Sequence, residues 1–77
     1  MTLAQALRAW RRRKFLTQKA LAEAIPVSLN TVQRWELGLT VPYPATQRRL
    51  IEVLEISPDE LFAALDATEA ERGKGAA

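Results

Sequence analysis

Apolar residues recur every three or four positions along most of the chain, the spacing that places them on one side of an α-helix. The first such stripe consists of Leu3, Ala6, Leu7 and Trp10. Thr2 stands just before it and belongs to the residue types whose side chains cap helix starts. The pattern therefore predicts a first helix that begins after Thr2 and buries this stripe.

A second and a third helix are predicted close together, between residues 17 and 38. Thr17 can cap the second helix, and Pro26 has to lie outside it because proline lacks an amide hydrogen and clashes with the preceding turn. Ser28 is a suitable cap for the third helix, and Gly38 is a suitable stop. The short connection between the two helices is typical of a helix-turn-helix motif.

Proline residues mark the predicted helix boundaries in the second half of the chain. Pro42 and Pro44 predict an extended segment, followed by a fourth helix from about Ala45 to Leu54. A fifth helix is predicted to start after Ser57, because Pro58 suits the first helical position and a glutamate follows at the third. The prediction is an all-α, compact five-helix domain.

The chain beyond Leu65 has a different composition. No large apolar residue occurs in residues 66–77. A segment that can bury little apolar surface gains too little stabilisation to offset the conformational entropy that it would lose on folding. The sequence therefore predicts one domain, residues 1–65, and a disordered polar tail, residues 66–77.

Composition excludes several classes of function. The 77 residues leave room for one domain and contain neither cysteine nor histidine. The chain thus lacks disulfides, thiolate metal sites and the commonest acid–base side chain. We expect no enzyme activity, cofactor or metal. Because no apolar run could span a membrane and the start does not resemble a secretory signal, we expect a cytoplasmic protein.

Charge is divided unevenly between the two halves. Residues 1–50 contain nine basic and two acidic residues, a net charge of +7, whereas residues 51–77 contain two basic and seven acidic residues, a net charge of −5. This asymmetry suggests an electropositive surface that meets a polyanion. A dipolar surface without a partner would have the same composition.

The segments LTQKALAEAI and VSLNTVQRWELG resemble the DNA-binding domain of the Cro/cI-type helix-turn-helix family, also called lambda-repressor-like or xenobiotic-response-element regulators. The resemblance extends from about residue 7 to residue 62. Its motif positions are occupied here by Leu7, Arg8, Arg11, Leu16, Thr17, Gln18, Leu21, Ala22, Ser28, Trp35, Glu36, Gly38, Pro42, Ser57, Glu60 and Leu61.

The resemblance implies a sequence-specific regulator of transcription, expected to be a repressor, associated with the bacterial nucleoid. Its third helix, residues 28–37, would lie in the major groove of double-stranded DNA. The residues implied to contact bases are Leu29, Asn30, Gln33 and Arg34. Those implied to contact phosphates are Gln18, Lys19, Ser28, Thr31, Arg12 and Arg48.

The chemistry of these residues agrees with such roles. Asn30 can form two hydrogen bonds with adenine, Arg34 can pair with guanine, and Leu29 can press against a thymine methyl group. A basic residue such as Arg12 at a helix end is equally explained by the helix dipole. We expect one of Arg48 and its neighbour Arg49 to face DNA.

Four other residues have structural interpretations. The resemblance implies an ion pair between Arg11 and Glu36, while the apolar stripes favour Trp10 and Trp35 as core residues. Related domains have glycine at two positions where this chain has another residue. These are Phe15, at the end of the first helix, and Pro26, in the turn before the third helix. Both departures leave the local turn geometry open.

Two further expectations concern partners. Related domains usually dimerise, and the only apolar segment left for this is around Leu61, Phe62 and Leu65. The alternative function is a protein-interaction module, such as an antitoxin or adaptor, that keeps the fold without reading DNA.

Overall fold

Five α-helices make up the fold, as the sequence predicts. The structure is a computed structural model that describes the backbone of residues 1–76 and the side chains of residues 1–72. Within these residues there is no strand, and no helix is long and apolar enough to cross a membrane. The helices are α1 (Leu3–Arg13), α2 (Gln18–Ala24), α3 (Leu29–Glu36), α4 (Pro44–Leu54) and α5 (Pro58–Ala76).

Side-chain hydroxyls begin four of the five helices. Thr2, Thr17, Ser28 and Ser57 each accept a hydrogen bond from a backbone amide of the first turn, at 3.0 to 3.4 Å. These are the predicted caps, and each satisfies an amide that has no partner within its helix. The capping box predicted for α5 is also present, since Glu60 accepts from the amide of Ser57 at 2.8 Å.

Helix α4 starts differently. Tyr43 occupies the cap position without a side-chain hydrogen bond, and Pro44 is the first helical residue. The sequence predicted a start at Ala45. Proline extends the helix by one residue because its fixed φ suits the first turn, where its missing amide hydrogen is not needed.

One hydrophobic core lies between the helices, and α3 packs against both α1 and α2. Trp35 is 3% exposed, and Trp10 is half-buried and packs against the same core. Both tryptophans therefore pack as predicted. The buried apolar residues are Leu3, Ala6, Leu7, Leu21, Ala22, Ile25, Val32, Trp35, Leu50, Leu54, Ile56, Leu61 and Ala64.

The two turns that lack the expected glycine have different backbone conformations. The turn between α2 and α3 is closed by the amide of Val27, which donates to the carbonyl of Ala22 at 2.8 Å. Pro26 is exposed and has no positive φ, so proline is compatible with this turn. Phe15 instead adopts φ +57°, the left-handed conformation that glycine would adopt more easily.

Helix α5 continues through the segment for which the sequence predicted a disordered tail. Residues 66–76 are helical, which corrects that prediction over this range, and Ala77 lies outside the described residues. The segment is rich in alanine and glutamate, which favour helices. Thr68 also joins it to the start of α1, because its hydroxyl accepts from the amide of Leu3 at 2.8 Å and donates to the carbonyl of Ala64 at 2.9 Å.

Candidate nucleic-acid interface

The two sides of α3 have opposite environments. Val32 and Trp35 are buried in the core. The other side carries four exposed side chains, and none of them hydrogen-bonds to another residue in the described part of the chain. We call this side the reading face; its members are Leu29, Asn30, Gln33 and Arg34, the residues predicted to contact bases.

A buried ion pair holds α3 against α1. Arg11 donates from Nε to Glu36 Oε2 at 2.7 Å and from Nη2 to Glu36 Oε1 at 3.0 Å, and its Nη1 donates to the carbonyl of Leu16 at 2.9 Å. Only 3% of the Glu36 side chain and 12% of the Arg11 side chain are exposed. Two parallel hydrogen bonds to one carboxylate fix the orientation of α3 relative to α1.

Gln18, a predicted phosphate contact, takes part in the same network. Its Nε2 donates to Glu36 Oε1 at 3.1 Å. A carboxamide nitrogen has two hydrogens, so one N–H of Gln18 stays free for a second acceptor. Lys19 is exposed beside it in the first turn of α2. The start of α2 therefore presents a free N–H donor and a cation to solvent.

Ser28 and Thr31, also predicted to contact phosphates, are engaged in the cap of α3. Ser28 Oγ accepts from the amide of Thr31 at 3.1 Å, and the two hydroxyls are 2.8 Å apart. Because one hydroxyl hydrogen serves the bond between them, the pair keeps at most one hydrogen for an external acceptor. Their role in the structure is first to define where α3 begins.

The α1–α3 groove lies on one flank of the reading face and has a volume of about 300 Å³. It is lined by Arg8, Gln18, Gln33, Glu36 and Leu37. Sequence reasoning named Arg8 as a motif position but assigned it no contact with DNA. The signal was available, because Arg8 precedes Arg11 by three residues on the same side of α1, and the expected Arg11–Glu36 pair already placed that side against α3.

The α3–α4 groove lies on the other flank and has a volume of about 410 Å³. Thr31 and Arg34 of α3 line it together with Tyr43 and Thr46 at the start of α4. Tyr43 is 82% exposed. Sequence reasoning missed it as well, and no periodicity could have identified it because it lies in the segment between two prolines.

The basic residues of α4 line or contact parts of the structure other than α3. Arg48 lines a third groove, the α4–α5 groove, together with Ile51 and Phe62. Arg49 donates from Nε to the carbonyl of Ala24 at 3.3 Å and pairs with Glu52 at 3.5 Å. Arg48 does not line either of the two grooves that flank the reading face.

The basic residues at the end of α1 also differ in whether they form ion pairs. Lys14 forms an ion pair with Glu55, at the end of α4. Arg12 and Arg13 are exposed and form no ion pair with the described residues. Only Arg12 and Arg13 of this run are thus free to meet a polyanion.

The residues predicted for dimerisation differ in accessibility. Leu61 is fully buried in the core, which corrects its assignment to an interface. Its burial follows from the helical period of α5, which places Leu61 and Ala64 on the side facing α1 and α4. Leu65 is half-buried, whereas Phe62 is 51% exposed.

Nothing in the described residues suggests a metal centre. No group of three acidic side chains is arranged to hold a metal ion in the part of the chain with described side chains. Glu36, the one buried carboxylate among them, is already paired with Arg11.

The family comparison agrees with this geometry. A family model described as a helix-turn-helix domain matches residues 2–65. The match contains α1 to α4 and the first two turns of α5, and thus the whole reading face. Searches of curated proteins and of solved structures found no match.

Proposed function

Because the chain belongs to the helix-turn-helix domain family, we propose that it is a sequence-specific DNA-binding regulator of transcription, acting as a repressor. DNA binding is the function that this membership indicates. The observation that carries the proposal is the reading face, four exposed side chains without intramolecular hydrogen bonds on a helix whose other side is fixed in the core. In this proposal α3 enters the major groove and α2 crosses the backbone above it.

The side chains of the reading face support base recognition. Asn30 and Arg34 can each form paired hydrogen bonds, with adenine and guanine respectively, and each such pair discriminates by about 1–3 kcal/mol. Gln33 offers a second carboxamide one turn after Asn30. Leu29 provides apolar contact for a thymine methyl group. Specificity would arise from the combination, since each side chain alone accepts more than one base.

The electrostatics next to the reading face also support the proposal. Glu36 would repel a phosphate if its charge were unbalanced, but Arg11 neutralises it through two hydrogen bonds. Lys19 is an exposed cation, and Gln18 has one free N–H. Contacts of this kind position a protein on DNA without reading its sequence.

We also propose that two copies bind together through the face formed by α4 and α5. Phe62 supplies an exposed aromatic ring on this face. Arg48 and Glu52 line the same groove as Phe62, and Glu69 and Arg72 line a second groove beside α5. In a two-fold interface the same patch of both copies meets, so Phe62 would pack near its counterpart and each copy would offer both acidic and basic side chains to the other. Phe62→Ser should leave the fold intact and shift the mass in light scattering from dimer to monomer.

Salt dependence of binding tests DNA as the partner. If about four to six phosphates are neutralised, the logarithm of the association constant should fall against the logarithm of the salt concentration with a slope of about −4 to −5. Fluorescence anisotropy with a labelled duplex measures this slope. An affinity that stays flat with salt would contradict the proposal and favour the alternative protein-interaction module.

A further inference from the structure

Arg8 is an exposed cation that belongs neither to the core nor to the buried Arg11–Glu36 ion pair. Its one hydrogen bond to the described residues runs from Nε to the carbonyl of Ala4, at the long distance of 3.5 Å. It forms no ion pair with a described carboxylate. The two terminal nitrogens of its guanidinium group are therefore free to donate to an external acceptor.

The α1–α3 groove that Arg8 lines has a net charge of +1 when Arg11, the ion-pair partner of Glu36, is counted with its lining. Glu36 is the only acidic residue in its lining, and its oxygens already accept from Arg11 and Gln18. Arg11 balances the charge of Glu36, so the charge of Arg8 remains uncompensated. An anion entering this groove would be attracted by Arg8 and would not be opposed by a free carboxylate.

The groove also opens at the edge of the reading face. Gln33, which we place against bases, forms one wall, and Gln18, with its free N–H, forms another. Arg12, the next outward arginine one turn along α1, is exposed but does not line the groove. Of these two arginines, only Arg8 lines the groove together with Gln18 and Gln33.

We infer that Arg8 binds a phosphate of the DNA backbone in the α1–α3 groove, together with Gln18, and that Arg8 and not Arg12 is the phosphate contact of α1. This inference rests on the proposed DNA-binding function. A phosphate is the acceptor because Arg8 belongs to α1, which lies behind the helix that enters the major groove. Its guanidinium group meets the backbone at the groove edge and not the base edges.

Removal of one phosphate contact has a defined signature. Each phosphate contact multiplies the association constant by the molar salt concentration raised to the power of about −0.9. Losing one contact should therefore weaken binding about eightfold at about 0.1 M salt and about fourfold at about 0.2 M. The slope against salt should become less steep by about 0.9. The loss should be the same for every duplex sequence, because phosphates carry no sequence information.

The experiment compares the same substitution at the two exposed arginines, Arg8→Gln and Arg12→Gln, with Arg8→Lys as the variant that keeps the charge. Affinities for random-sequence duplex DNA are measured by anisotropy across a salt series, and circular dichroism checks that the variants are folded. We expect the described loss and slope change for Arg8→Gln, near wild-type behaviour for Arg12→Gln and partial recovery for Arg8→Lys.

Several results would overturn the inference. A loss for Arg12→Gln alone, or equal losses for both glutamine variants, would remove the distinction between the two arginines. A loss for Arg8→Gln on selected sites but not on random duplexes, with an unchanged salt slope, would assign Arg8 to a base. If wild-type protein binds no DNA, the proposed function itself fails, whereas binding by wild type and Arg8→Gln alike rejects only the role of Arg8.

Discussion

Arg11 and Glu36 join α1 to α3 through two hydrogen bonds, 2.7 and 3.0 Å long, across 25 residues of sequence. The pair is nearly inaccessible to solvent. Gln18 of α2 donates to the same carboxylate, so the Glu36 side chain of α3 is hydrogen-bonded to both α1 and α2. The position of the reading face thus depends on Glu36.

The first prediction concerns this ion pair. Arg11→Met leaves Glu36 buried without its cation, and we expect a loss of about 3–5 kcal/mol in the free energy of unfolding. Glu36→Leu should also destabilise, but the double variant should lose much less than the sum, because neither charge is then left unpaired. Urea unfolding of the four proteins measures this coupling, which should persist in about 1 M salt because buried pairs are weakly screened. Additive losses would show that the pair is not coupled.

Phe15 gives the second prediction. It follows the cap of α1 with φ +57°, and its side chain is 96% exposed. Phe15→Gly should stabilise the protein by about 1 kcal/mol, because glycine adopts this conformation without strain. Phe15→Ala is the control, since alanine removes the ring and retains the Cβ atom. Equal unfolding free energies for the two variants would show that the backbone is not strained.

Gly38 provides the reciprocal test at the end of α3. It adopts φ +76°, and a Cβ atom placed there would have no heavy atom within 4 Å apart from its chain neighbours. The amides of Gly38 and Leu39 close this turn as those of Phe15 and Leu16 close the turn after α1. Gly38→Ala should therefore cost about 1 kcal/mol from the backbone alone. No change in the unfolding midpoint would contradict this.

The fourth prediction tests the docking of α5. Thr68 accepts from the amide of Leu3, which has no partner within α1. Thr68→Val removes that acceptor and should destabilise the protein by about 1–2 kcal/mol. Thr68→Ser keeps the hydroxyl and should stay closer to the wild type. If both variants unfold like the wild type, the hydrogen bond between Thr68 and Leu3 does not stabilise the domain.

Local signals in the sequence predicted most of the fold. Hydroxyl caps at Thr2, Thr17, Ser28 and Ser57 act within one helical turn, so their residue types predict helix starts without knowledge of the tertiary structure. The apolar stripes similarly predicted the burial of Val32 and Trp35, and hence the composition of the opposite side of α3.

Features that depend on distant parts of the chain were not predictable in this way. The continuation of α5 requires Thr68 to meet Leu3, 65 residues away. The groove that Arg48 shares with Phe62 depends on how α4 packs against α5. The groove around Arg8 depends on how α1 packs against α3, and the Arg11–Glu36 pair joins these two helices. A pattern along the chain contains none of these distances.

Selection from a pool of random duplex DNA, at one defined salt concentration, tests the central claim most directly. It compares the wild type with the double variant carrying Asn30→Ala and Arg34→Ala, and with Arg13→Ala, a control that removes an exposed arginine that is not part of the reading face. We predict that the wild type and Arg13→Ala enrich the same sequence, whereas the double variant enriches none and retains weak, salt-sensitive binding. Absence of enrichment with the wild type, or the same enriched sequence with the double variant, would contradict the assignment of α3 as the helix that reads DNA.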